Sequence, residues 1–263
     1  MRDQVFMVGH AHIDLSWLWT RSETIADIIP RTFWNVIKLM EEHGIRFSQS
    51  SAQLYKWVEE YYPDLFKKIR SLVNSGFWEV VGGSWVEFSP LLISGGSLIR
   101  QYLYGKRYFV EKFGVDVRVA WLPDSFGFPW TLPQILRKSG IYYFMTHKLK
   151  WQIYRNNPPI PFPYHIFWWQ SPDGSRVLSY HTVGSYNEDV REEIILDHLR
   201  VLKDKHGLGI LMHVYGKGDH GGGPSEDMVE WDKYVEPIRY PVRDNAVEIQ
   251  LKPFEIKTLR VRA

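Results

Sequence analysis

The chain has 263 residues, 44% of them hydrophobic, enough to bury the core of one large α/β domain or two smaller ones. Its 32 basic and 30 acidic residues leave a formal charge of +2, so no global field points to nucleic acid or to an anionic membrane surface. With no cysteine, disulfides, thiolate clusters and cysteine nucleophiles are excluded, and any metal has to be held by His, Asp, Glu or water.

The first predicted element is a strand over residues 5–8. Its apolar run is too short for a signal-peptide core, and nowhere do about 18 uninterrupted apolar residues suggest a membrane span, so a soluble, cytoplasmic protein is expected. Directly after it, residues 9–14 read Gly-His-Ala-His-Ile-Asp. Spacing of two puts His10, His12 and Asp14 on one side of an extended chain, and imidazole with carboxylate suits a borderline divalent ion such as zinc. The other reading of this run is a loop whose histidines cap hydrogen bonds. Trp17 and Trp19 follow; they either wall a sugar site or pack in the core, and an aromatic content of 16%, with 12 Trp, hints at sugar platforms.

Amphipathic helices are predicted over 31–42 and 52–75, then a strand over 77–81 that leads to Trp85 and Glu87, and a helix over 97–113. A strand over 117–121 runs into Trp121-Leu122-Pro123-Asp124-Ser125-Phe126-Gly127, where Asp124 reads as a metal ligand, a nucleophile or a helix N-cap. A helix over 132–139 and a strand over 142–145 come next, followed by His147. Residues 156–163, Asn-Asn-Pro-Pro-Ile-Pro-Phe-Pro, cannot be helical and read as an extended surface loop. Strands over 166–169 and 177–181, a helix over 190–206 and a strand over 209–214 complete the alternation.

The last strand opens on residues 215–224, where glycines on both sides of Asp219-His220 let the backbone approach a ligand; a simple flexible connector is the alternative. From about Pro237 the character changes to two short alternating runs, 246–251 and 254–261, typical of a terminal β segment. Alternating helices and strands favour a largely parallel sheet, and seven strands predict a barrel-like α/β arrangement. In such folds chemistry gathers at the carboxyl ends of strands, and His12, Trp85, Asp124, His147 and Asp219 all follow strand candidates closely.

Together these stretches resemble glycoside hydrolase family 38, the zinc-dependent retaining α-mannosidases, in the branch of bacteria, archaea and the cytosolic animal enzymes. The likeness is carried by GHAHID (9–14), GFWEVVGGSWVE (76–87), RQYLYGKRYFVEKFG (100–114), WLPDSFGFPWTLPQILRKSGI (121–141), THKLKW (146–151) and GKGDHGGGP (216–224). It spans about residues 5–226, the family's N-terminal catalytic domain, and implies a seven-stranded β/α barrel over 1–236 with a C-terminal β tail over 237–263. It further implies that His12 and Asp14 are zinc ligands, that Asp124 is both ligand and nucleophile, and that Asp219 is the general acid/base, holding its proton through a raised pKa. His10 orients the ligands by hydrogen bonding. Trp85 and Glu87 align with a pocket segment, with Glu87 equally a strand-end hydrogen-bond acceptor.

The chain also departs from the family pattern. Phe88-Ser89 stands where Pro-Asp is usual, and Gly95-Gly96-Ser97 where Gly-Glu-Ser is usual, removing two carboxylates. The family's fourth zinc ligand comes from a Gln-Phe-His-Asp segment that this chain lacks, so the chain reads as shortened, with His220 or His213 to fill the vacancy. The expected function is metal-dependent hydrolysis of terminal α-mannosides or oligosaccharides, using zinc or another divalent ion such as cobalt. An inactive family member that binds metal or sugar, and a polysaccharide deacetylase-like metal hydrolase, are the competing readings. A barrel without covering domains exposes apolar surface, so homo-oligomerisation or association with another chain is also expected.

Overall fold

A computed structural model describes residues 3–150 and 162–232 of the chain. Among the described residues eight strands lie in two four-stranded sheets, in place of the seven-stranded barrel that the sequence suggests. In the first sheet β1 (Gln4–His10) runs between β2 (Phe47–Gln49) and β8 (Ile210–Tyr215), and β3 (Trp78–Val80) pairs with β2, all parallel. In the second, β4 (Val119–Trp121), β5 (Tyr143–Thr146) and β7 (Arg176–His181) are parallel, and β6 (Ile166–Gln170) adds to the outer edge of β7 antiparallel. The strand without a sequence signal is β2. Its three residues are all buried, so they show no alternation for a period of two to reveal.

Where the sheets meet, ladder pairing gives way to isolated bonds. The Gly82 N–H donates to the Val119 carbonyl at 3.0 Å, and the Tyr180 hydroxyl donates to the Met212 carbonyl at 2.8 Å. Val81, Trp121, Met145 and Val214, contributed by both sheets, pack in one cluster with Val8 and Val119 against it, so the sheets face each other across a shared interior.

Helices cover the outer faces. Helices α2 (Ile29–His43), α3 (Ala52–Tyr61), α4 (Pro63–Ser75) and α5 (Gly95–Phe113) bury Phe33, Leu54, Ile69 and Phe109 in the cluster that holds Phe47 and Trp78. Burying each such side chain is worth about 1.5–3 kcal/mol. The single helix predicted over 52–75 is two helices: Tyr62 leaves the helical region at φ −136°, and Pro63, which has no N–H to give, starts the next one. Before α2 comes a turn α1 (Arg21–Glu23), closed by a capping box between Thr20 and Glu23, that continues as a π-helical stretch over Thr24–Ile28.

Helix α6 (Leu132–Lys138) packs Leu132 and Leu136 toward Phe144 and Val177 of the second sheet. On the first sheet, α7 (Glu192–His206) sets Ile195, Leu199 and Leu202 against Val5, Met7 and Leu211. A last helix, α8, covers Glu226–Asp232. Helix α5 approaches the segment after β3 so closely that a Cβ on Gly105 would lie 2.4 Å from the Gly83 carbonyl oxygen. That approach fixes the course of the chain carrying Trp85 and Glu87.

Among the described residues no helix is long and apolar enough to cross a membrane. Of the predicted loop over 156–163 only Phe162 and Pro163 are described, and they carry no regular structure; the predicted β tail over 237–263 lies outside the described residues.

Candidate metal and catalytic site

Beyond β1 the chain stays extended. Ala11 and Ile13 are buried in the helical cluster, and the alternation turns His12 and Asp14 to the opposite side. Ile13 bridges to His220, and the Asp14 N–H donates to the Asp219 carbonyl at 3.0 Å, so the glycine-rich loop after β8 is stitched onto the loop after β1. A second bridge, Lys217 to Gly223, orders the loop itself, which is therefore no simple connector. Glycine at 216 is required: its φ is +130°, and a Cβ there would meet the His10 carbonyl oxygen at 2.0 Å. Asp219 has φ +65° and is the one non-glycine with positive φ among the described residues.

Asp124 arrives from the second sheet, just past β4. It caps no helix, since α6 begins at Leu132 with Thr131 in the cap position. Instead it converges with the first two loops. One donor atom each from His12, Asp14, Asp124 and Asp219 lies within 4.8 Å of the others.

The bonds inside this group are specific. His12 Nδ1 lies 3.2 Å from Asp219 Oδ1, and His12 Nε2 lies 3.1 Å from Glu87 Oε2. Glu87 then accepts from the Asp124 N–H at 2.8 Å and from the Ser125 hydroxyl at 3.3 Å through its other oxygen. Lys148 Nζ stands 2.6 Å from Asp124 Oδ1. The Tyr186 hydroxyl reaches Asp124 Oδ1 at 3.0 Å and Asp219 Oδ1 at 2.7 Å. His10 is buried beneath, its Nδ1 donating to the Ser48 carbonyl at 3.1 Å and its Nε2 receiving the Trp121 indole N–H at 3.4 Å. It thus links β1 to β2 and to β4.

The electrostatics follow from these contacts. Burial opposes charge on His12, but the hydrogen bonds to Asp219 and Glu87 outweigh it and push its pKa up to about 10. Burial and the neighbouring His12 charge push His10 down to about 3, leaving it neutral. Asp14 is raised to about 6, chiefly by burial and, beyond that, by the charges of Asp124 and Asp219, although His12 opposes the rise. Asp219 moves the other way: its hydrogen bond from His12 holds it below the usual carboxylate range despite partial burial. This is opposite to the raised value expected of a proton donor. Burial and then the bond to Asp219 push the Tyr186 phenol up.

Not every residue singled out from sequence joins the group. His220 lies at the surface with its ring 4.4 Å from that of Trp19 and Nδ1 3.4 Å from Arg31, because the left-handed turn at Asp219 directs it away. His213 faces α7, where Nε2 donates to the Asp189 carbonyl at 3.0 Å and burial lowers its pKa to about 4. Trp17 is 62% exposed and touches Trp19 edge-on. Trp85 turns away from the group: its indole N–H donates to Gln53 at 2.9 Å, and its ring lies edge-on to Tyr108. Glu87, two residues on, is the member of that pair that reaches the site. Lys148 and Tyr186 had no role assigned from sequence. Lys148 lies in the quoted THKLKW stretch, whereas Tyr186 sits in a polar loop after β7 with no signal to distinguish it.

The donor set, one imidazole and three carboxylates, fits a divalent ion, and the Glu87 contact would hold the remaining nitrogen of His12 in place. Residues 2–252 match the family described as Glycosyl hydrolases family 38 N-terminal domain. Alpha-mannosidase G of Dictyostelium discoideum is 40% identical over 86% of this chain, and human alpha-mannosidase 2C1 is 37% identical over 86%. The matched region is 20% and 21% of those proteins, so the chain spans about a fifth of their length. A solved alpha-mannosidase from Enterococcus faecalis V583 shares the fold, with a TM-score of 0.72 at 20% identity over 88% of this chain and 27% of that one.

Proposed function

Because this chain belongs to glycosyl hydrolase family 38 through its N-terminal domain, we propose that it is a cytoplasmic, metal-dependent retaining α-mannosidase acting on terminal α-mannosides. In this reading residues 1–236 form the catalytic-type domain and 237–263 a β tail. One observation carries the reaction type: the Asp124 and Asp219 donor oxygens approach within 4.8 Å and share the Tyr186 hydroxyl. A pair about 5 Å apart suits double displacement, whereas inverting pairs stand wider to admit a water.

Asp124 is the nucleophile that attacks the anomeric carbon, its Oδ1 aimed by Lys148 and Tyr186. Asp219 donates a proton to the departing oxygen and then takes one from the attacking water. Loss of the proton from His12 removes the largest influence that lowers Asp219, while burial, which raises it, stays. His12, Asp14 and Asp124 would hold zinc or cobalt, with Asp219 beside the ion and left free to carry the proton; the metal when bound supplies a grip on sugar hydroxyls and favours the distorted ring of the transition state. Trp17, exposed near the loop after β1, is the aromatic platform of this reading.

The test is release of an aryl group from an aryl α-mannoside with zinc or cobalt added. The wild type turns over with retention of anomeric configuration, and Asp124→Asn lowers kcat by at least about 1000-fold. A wild type that binds metal without turnover overturns the proposal. The depressed Asp219 favours one second reading, a family member that binds sugar without cleaving it. Calorimetric mannose binding in a chain without turnover would support that reading, and acetate release from acetylated oligosaccharides would support a deacetylase.

A further inference from the structure

Between α3 and α5 the surface opens into a cavity of about 420 Å³, within the size range of small-ligand sites. Three aromatic rings line it: Trp85, Tyr104 and Tyr108. Trp85 is held rigidly there. Its backbone N–H donates to the Gln101 carbonyl at 2.9 Å, its carbonyl accepts from the Gln53 N–H at 2.8 Å, and its indole N–H is tied to Gln53 as well. Tyr108 stands edge-on to it at 5.9 Å, whereas Tyr104 is 52% exposed and offers its ring to solvent.

The polar wall mixes both signs. Glu59 accepts from the Tyr108 hydroxyl at 3.1 Å, bonds Lys112 and faces Lys56 at 3.6 Å; Arg107 pairs with Glu111 at 2.5 Å. The lining holds three cations, Lys56, Arg107 and Lys112, and two carboxylates, Glu59 and Glu111, paired with one another, so an ion of either sign meets like charge and has to break an existing pair. A neutral polyol uses donors and acceptors alike and lays its apolar C–H face on an aromatic ring.

We propose that the α3–α5 cavity is a non-catalytic carbohydrate site, taking a neutral sugar ring against Tyr104 and Trp85 with its hydroxyls shared between Glu59, Lys56 and Arg107. The choice of a mannose-type probe rests on the function proposed above, but the site itself does not.

The experiment titrates α-1,2-mannobiose, then maltose and inorganic phosphate, into the full chain carrying Asp124→Asn, followed by calorimetry and by the indole N–H resonances of 15N-labelled tryptophan. Mannobiose is expected to bind and to move one indole resonance assigned by Trp85→Phe. Tyr104→Ala and Arg107→Ala, both at exposed positions, are each expected to weaken binding at least tenfold, and phosphate not to displace the sugar. The proposal is overturned if neither disaccharide binds, if both variants bind like their parent, or if phosphate competes. Turnover by the wild type is a separate readout, so loss of catalysis with sugar still in this cavity would sink the mannosidase reading alone.

Discussion

The Tyr186 phenol offers one proton to two carboxylate oxygens, 3.0 and 2.7 Å away, one from each sheet's loops. A hydroxyl shared in this way keeps two like charges at a working distance without neutralising either. Its ring is held from one side by His12, edge-on at 5.1 Å, and from another by Lys148 Nζ at 5.3 Å over its face. Tyr186→Phe keeps the ring and removes only the shared bond. The variant should lose about 100-fold in kcat on an aryl α-mannoside, with KM nearly unchanged and the acidic limb of the pH–rate profile displaced. An unaltered profile at normal kcat would mean that Asp124 and Asp219 are positioned by something else. Glu87 works at the same scale, spending one oxygen on His12 and the other on the backbone of Asp124.

At the level of elements, α5 is the piece whose placement matters most to the site. In an exposed helix, Gly→Ala stabilises by about 1 kcal/mol. At Gly105 the sign reverses, because the new methyl would sit 2.4 Å from the backbone of Gly83 and Ser84, and backbone cannot move aside as a side-chain tip can. Gly105→Ala should therefore destabilise by about 1–3 kcal/mol in urea unfolding, and it should weaken metal binding by displacing Glu87. A neutral or stabilising outcome would show that α5 is looser than this packing implies. Seven of the eight strands were legible in the sequence as apolar runs between helical stretches, and β2 was not, being three residues buried on both faces. His12, Asp14, Asp124 and Asp219 were legible because short, spaced polar motifs stood directly after predicted strands. Trp85 lies away from the metal-capable group because residues 84–86 bend and its indole is tied to Gln53, a difference from Glu87 that the resemblance of the 76–87 stretch does not carry. Tyr186 was invisible because its value comes from two carboxylates, 62 and 33 positions away in sequence.

For the molecule as a whole, the four metal-capable side chains straddle both sheets: His12, Asp14 and Asp219 follow strands of the first, and Asp124 follows one of the second. An ion held by His12, Asp14 and Asp124 would act as a clasp between them. Zinc at about 100 times its Kd should add roughly 2.7 kcal/mol of stability, reversed by a chelator and seen as a rise in melting temperature. Uptake has to expel the His12 proton, whose pKa is about 10, so affinity should increase about tenfold from pH 7 to pH 8 at fixed free zinc. That adds about 1.4 kcal/mol, or roughly 3–5 °C more in the zinc-induced rise. A zinc-induced rise independent of pH would show that His12 is not displaced from its carboxylates. The seam between the sheets, with its isolated Gly82–Val119 and Tyr180–Met212 bonds, has one more consequence. The gap that Tyr186 spans between Asp124 and Asp219 also depends on the spacing of the two sheets, since each carboxylate follows a strand of a different one. Widening that spacing by a few ångströms would admit a water between the carboxylates, so under the proposed cleavage the anomer of the released sugar is a ruler for the seam.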